Sequence, residues 1–198
     1  MKSKHAITKL GLLLKKPSFT CQEAEAAGVS SSTIAYYART GDLIRLNRGV
    51  YRGAQSPGME DFRWEDLILT MSKIKNGVIC LITALAIYEL TEEIPRQYWI
   101  AISNKTRHRA DRLTRIIRMR NIELGKTTIK INNIKLSIFD RERTIVDAFR
   151  FLSIEIAIKA LRAGLALSGK NKIRMEKLRE YAKILRINID PYILGATT

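Results

Sequence analysis

The feature that most constrains this chain is a run of helix start and stop signals packed into residues 19–53. Thr20 is followed three residues later by Glu23, the spacing of a capping box, in which each side chain satisfies an orphan backbone N–H of the first helical turn. The helix it starts, Cys21 to Ala27, stops at Gly28, because a left-handed C-cap costs a glycine nothing. Ser30 offers a second N-cap for a helix over Ser31 to Thr40, which Gly41 ends in turn. Two short helices joined by a glycine-containing turn are what a helix-turn-helix requires. Upstream, Ile7, Leu10 and Leu14 recur at helical spacing and predict a helix over His5 to Leu14. Lys15-Lys16-Pro17 closes it, since proline removes a donor and disfavours helix just before itself.

After Gly41, the runs Asp42 to Leu46 and Val50 to Arg52 flank Asn47-Arg48-Gly49 and predict a β-hairpin. In the second helix Ile34, Tyr37 and Ala38 share an inward face with Val29, while Ser32, Ala35, Tyr36 and Arg39 lie opposite. That outer face is small, hydroxylated and basic, suited to the major groove of DNA. Arg45, Arg48 and Arg52 charge the hairpin, which reads as a wing reaching phosphates or the minor groove. The expectation is a winged helix-turn-helix over residues 1–53. A plain protein-interaction module of the same shape is the competing reading.

Charge supports a polyanionic partner. With 35 Lys and Arg against 19 Asp and Glu, the net charge is +16, an excess that repels itself in a compact state. Nucleic acid is the leading candidate and an anionic membrane surface the weaker one. The excess is uneven: net +6 over residues 1–56, −4 over 57–94, +9 over 95–136 and +5 over 137–198. A hydrophobic fraction of 46% and a charged fraction of 27% are ordinary for a folded protein and exclude disorder as the overall reading. The longest apolar run, Val78 to Tyr88, is too short for a membrane span of about 20 residues. The first 16 residues carry no cleavable signal pattern. Cys21 and Cys80 have no partner spacing and read as reduced small hydrophobes, so a cytoplasmic location is expected.

Ala54 to Gly58 reads as a linker. Residues 59–198 then alternate helical and strand-like runs, giving a larger mixed α+β domain and an α+β chain as a whole. Helices are expected over Asp61 to Ile74, Thr83 to Leu90, Arg141 to Leu152, Ile154 to Leu167 and Arg174 to Leu185. Strands are expected at Val78 to Leu81, Tyr98 to Ser103, Thr114 to Arg120, Thr127 to Ile131 and Ile134 to Phe139, the last two joined by Asn132-Asn133. Arg143 and Asp147 stand at i,i+4 spacing.

The stretch Lys105, Arg107, His108, Arg109, Arg112, Arg115, Arg118 and Arg120 is either a solvated loop and strand face or a second nucleic-acid or antitoxin surface. There is no Gly-rich phosphate loop and no zinc-ligand cluster, and His5 and His108 lack a motif beside a nucleophile. The chain is therefore read as non-enzymatic, with no catalytic residue, cofactor or metal.

The run Phe19 to Tyr51, with AGVSSSTIAYYARTGDLIRLNRGVYR at its heart, resembles the N-terminal domain of AbiEi-type antitoxins. The similarity continues through Ile82 to Ile102 (ITALAIYELTEEIPRQYWIAI) and Arg141 to Phe151 (RERTIVDAFRF), and so covers the chain to about Leu167. The resemblance implies a regulator from an abortive-infection toxin-antitoxin system of type IV. Its N-terminal domain would bind inverted repeats in double-stranded DNA at its own promoter and repress it. Its C-terminal domain would counter a nucleotidyltransferase-like toxin without a stable complex. The matching positions are Ser31, Ser32, Thr33, Tyr36 and Arg39 on the recognition helix, and Arg45, Asn47, Arg48 and Arg52 on the wing.

Overall fold

Thr20 starts helix α2 (Cys21–Ala26) through a reciprocal capping box. Its Oγ1 accepts from the Glu23 N–H at 3.2 Å, and the Thr20 N–H donates to Glu23 Oε2 at 2.8 Å. Burial pushes the Glu23 carboxyl up, but hydrogen bonds from Lys16 and Thr20 outweigh it and leave that group below its ordinary range. Ser30 caps helix α3 (Ser31–Thr40), and Gly41, at φ 86°, ends it in the left-handed conformation that the sequence predicted.

The computed structural model describes residues 4–16, 18–56, 64–108, 111–132 and 134–197. The chain divides into two units, Met1–Lys73 with Ile131–Ile134, and Ile74–Lys130 with Lys135–Thr198. In the first, α1 (Lys4–Lys9) and a single 3-10 turn (Leu13–Lys15) precede β1 (Phe19–Thr20), α2, α3, β2 (Leu43–Asn47), β3 (Val50–Gly53) and α4 (Glu65–Lys73). The helix expected over His5 to Leu14 thus breaks at Lys9. There the N–H groups of Leu10 and Gly11 reach back only three residues, to Ile7 and Thr8, and tighten the turn. Of the helix expected over Asp61 to Ile74, residues 61–63 lie outside the described residues.

The three strands form an antiparallel sheet in the order β1-β3-β2. Strand β1 was not foreseen, since two residues give no periodicity. Phe19 lies opposite Tyr51, and both join Leu10, Ala24, Val29, Ile34, Tyr37 and Leu43 in one core. Three helices and the hairpin thereby close on a common apolar centre.

The second unit has a five-stranded mixed sheet in the order β6-β5-β4-β8-β7. Its strands are β4 (Val78–Ile79), β5 (Tyr98–Ser103), β6 (Thr114–Met119), β7 (Lys126–Ile131) and β8 (Ile134–Phe139). Strand β4 runs antiparallel to β5 and parallel to β8, and β5 runs parallel to the edge strand β6. Helices α5 (Leu81–Ile87), α6 (Arg141–Phe151), α7 (Ile154–Ala166), α8 (Met175–Ile184) and α9 (Asp190–Thr197) complete it. Helix α5 begins two residues before the expected Thr83. The buried Thr83 hydroxyl instead accepts from the Trp99 N–H at 2.8 Å and fastens the start of β5. Helix α9 was missed, although Ile189 and Ile193, four residues apart, are both buried.

The pair Arg143 and Asp147 is present and fully buried, Nε to Oδ2 2.8 Å. Arg143 also donates to the carbonyls of Asn121 and Leu124, at 3.0 and 2.8 Å, and its guanidinium lies 4.6 Å from the Phe139 ring centroid. Gly125 passes so close that a Cβ there would meet Arg143 Cβ at 2.6 Å, at a φ of +71° that also favours glycine.

Asp147→Ala should cost about 3–5 kcal/mol, because it leaves a buried guanidinium without its carboxylate. A shift in urea midpoint equivalent to under about 1 kcal/mol would show that the remaining partners suffice. Thr20→Ala should cost about 1 kcal/mol by the same measurement. Because the Glu23 carboxyl is lowered in the folded state, its contribution is complete above the ordinary glutamate range, about 4.3, and is lost as pH falls through the folded value. Glu23→Gln should flatten that part of the pH–stability curve, and an unchanged acid limb would contradict this role.

Candidate nucleic-acid interface

Helix α3 sorts its residues as its period demands. Ile34 and Tyr37 are buried, while Ser31, Ser32, Ala35, Tyr36 and Arg39 are exposed and Thr33 is half-buried. The hydroxyls at its start are not equivalent. Ser30 Oγ lies 3.0 Å from Ser32 Oγ and 2.9 Å from Thr33 Oγ1, and it accepts the Thr33 N–H. Ser32 and Thr33 therefore take part in the cap as well as facing outward. Tyr36, 41% exposed, and Arg39 form a pair, the guanidinium 5.8 Å from the ring centroid. Tyr36 also meets the buried Tyr37 edge-on at 5.7 Å, which fixes its ring against the helix.

The hairpin is tied to the helical pair. The Cys21 N–H donates to the carbonyl of Gly49 in the turn, at 2.9 Å, and β3 is the central strand. Arg45 and Arg48 are exposed, and Asn47 closes β2 at a register shift between Arg45 and Asn47. Arg52 differs from them. It lies 3.5 Å from Glu65 of α4, with both side chains largely buried. Sequence reasoning missed that pairing, because nothing in the spacing joins a strand residue to a helix beyond the linker.

In the second unit, the basic stretch follows the connection from β5 to β6, edge strand β6 and the residue after it. Lys105, Arg107, Arg112, Arg115, Arg118 and Arg120 are all exposed, and Arg109 lies outside the described residues. Three of them have distinct settings. Arg115 stacks on Trp99 at 4.0 Å, a cation–π contact on the sheet. Arg118 and Arg120 border a hollow of about 350 Å³ that Arg150 and Arg186 also line. Arg150 shares Asp147 with Arg143, its NH1 2.6 Å from Oδ1. The hollow's arginines thus come from β6, the segment after it, α6 and the segment after α8, distances in sequence that hid the grouping.

No helix among the described residues is long and apolar enough to cross a membrane. No curated protein gives a significant match to the chain. Among solved structures, the crystal structure of the RV2827C protein from Mycobacterium tuberculosis is similar to it, with a TM-score of 0.56 at 13% identity. That likeness covers 89% of this chain and 71% of the other, and it concerns the fold. Residues 13–52, which hold α2, α3 and most of the hairpin, match the family model described as "Transcriptional regulator, AbiEi antitoxin". Over that segment the chain is similar to the AbiEi antitoxin family of transcriptional regulators.

Proposed function

We propose that this protein is a DNA-binding autorepressor and antitoxin, and that residues 1–53 act as a winged helix-turn-helix on inverted repeats in its own promoter. The observation that carries this reading is the exposed face of α3 beside the basic hairpin, within the segment that matches the regulator family. A helix with a polar outer face enters the major groove, and arginines on an adjoining hairpin reach backbone phosphates. Ser31, Ser32, Thr33, Tyr36 and Arg39 are the proposed groove contacts. Arg45, Asn47, Arg48 and Arg52 are the proposed wing contacts, and Arg52 is already paired with Glu65.

The second part of the reading is that residues 59–198 counter a nucleotidyltransferase-like toxin without a stable complex and without catalysis or cofactor, in the cytoplasm. Lys105, Arg107, Arg109, Arg112, Arg115, Arg118 and Arg120 are proposed as its nucleic-acid or antitoxin contacts, of which Arg118 and Arg120 share one hollow. The linker is placed at 54–58, which leaves α4 with the second domain, whereas α4 clusters with the first unit. Truncations beginning at residues 54 and 74 separate these divisions. Both should lose DNA binding, and the one that unfolds cooperatively marks the domain start.

The primary test is a gel-shift titration on the upstream region against scrambled DNA at two salt concentrations. Selective shifts attributable to an inverted repeat are expected. Weak binding that is equal on both DNAs would turn the same module into a protein-facing or general surface. Arg48→Ala should lower the salt slope by about one, by removing one phosphate contact. Arg52→Ala should lower it less, and equal effects would mean that DNA displaces Glu65. Tyr36→Ala should cost about 1–3 kcal/mol on the operator and little on random DNA. Equal losses on both would contradict base readout.

A further inference from the structure

The strongest unassigned feature lies in the second unit, where the start of α6, strand β7 and the segment 168–174 enclose an open cleft of about 430 Å³. Arg141, Lys170, Lys172, Arg174 and Lys177 line it, against the two carboxylates Asp140 and Glu142. Both acids are already engaged. Asp140 Oδ1 accepts the Arg143 N–H, and its Oδ2 holds Lys177 Nζ at 2.7 Å and the Tyr181 hydroxyl at 3.1 Å. Glu142, itself buried, accepts the Arg174 backbone N–H at 2.9 Å and lies 3.6 Å from Lys177 Nζ. The two carboxylates are therefore occupied by Lys177 and by backbone donors.

The other cations are weakly compensated among the described residues. Lys170 and Lys172 are exposed and have no counter-ion among the described residues. Arg174 reaches only to 4.0 Å from Glu142 and is 71% exposed. Arg141 is fixed without an ion pair among the described residues. Its guanidinium sits 4.5 Å over the Tyr88 ring, its NH2 donates to the neutral Asn171 side chain at 2.8 Å, and its buried Nε has no acceptor among the described residues. A hollow holding such a surplus repels itself when empty. A compact, multiply charged anion relieves that repulsion, and ammonium and guanidinium groups are the usual phosphate donors. Exposed Thr127 and Thr128 on β7 add hydroxyls at the rim. The volume falls within the range of small-molecule sites.

We propose that this cleft binds a small polyphosphate anion, with Arg141 as the pre-positioned anchor and Lys170 and Lys172 as the closing charges. The site is separate from the proposed DNA-binding module and does not depend on that reading.

The test is calorimetric titration of the full chain with inorganic tripolyphosphate. Lys170→Ala/Lys172→Ala is compared with Lys75→Ala/Lys159→Ala, which removes the same charge from exposed positions of this unit outside the cleft. Saturable one-to-one binding is expected, weakened about tenfold or more by the cleft pair and less than about twofold by the control pair. Equal weakening by both pairs, or titration without saturation, would overturn the site in favour of general attraction to a basic protein. A nucleoside triphosphate run in parallel identifies the source: tighter binding than tripolyphosphate marks a nucleotide, and equal or weaker binding marks the inorganic anion. A 5′-hydroxyl RNA hexamer that depends on Lys170 and Lys172, with no tripolyphosphate binding, would replace the small anion by a nucleic-acid strand. Exposed lysines are chosen so that thermal melts of both variants should match the parent.

Discussion

The buried contact between Arg143 and Asp147 ties the helices of the second unit to its sheet at a point of close packing. A guanidinium taken out of water is costly unless every donor is matched, and here Nε, NH1 and NH2 are directed to a carboxylate, two backbone carbonyls and the Met119 sulfur. Those acceptors belong to α6, to the end of β6 and to the segment leading into β7. One side chain therefore fixes the height of a helix against the end of β6 and the connection that follows it. Gly125 lets the chain pass close enough for this to happen, and its carbonyl accepts the Asp140 N–H at 2.8 Å, just where Asp140 caps α6. The same aspartate holds Lys177 and Tyr181 of α8. Cap, ion pair and helix packing are thus one connected set of hydrogen bonds.

The first unit rests on a different kind of constraint. Its elements are short, and isolated helices of this length are unstable in water. Capping, glycine stops and a shared apolar core compensate. The consequence for the outer face of α3 is specific: Ser32 and Thr33 hydroxyls are near the Ser30 cap, whereas Tyr36 and Arg39 are held by each other and by the helix. The face offered outward is a pre-set aromatic–guanidinium pair with small residues around it.

Charge illustrates how linear and spatial proximity diverge. Arginines adjacent in sequence between 105 and 120 separate, one stacking on Trp99 and two joining Arg150 and Arg186. Cations that are unremarkable in sequence, from Arg141 to Lys177, converge on a single cleft. A parallel pair such as β5 and β6 needs a crossover connection, and Lys105, Arg107 and Arg112 on it are exposed.

Local features of the fold are legible along the chain. The capping box at Thr20 and Glu23, the stops at Gly28 and Gly41, the inward face of α3 and the i,i+4 pairing of Arg143 with Asp147 all depend on residues within a turn or two of each other. Helical and strand periods likewise located most elements of the second unit to within a few residues. Contacts between distant segments emerge only in the folded chain. Folding paired β1 with β3, ordered the five strands, buried the Arg143 charge and assigned Glu65 to Arg52. It also brought α9 onto the core, with Tyr192 4.9 Å from Phe149. The reason is physical: capping and amphipathic periodicity are set by nearest neighbours along the chain, whereas burial and charge pairing depend on which segments meet after the chain has closed its loops.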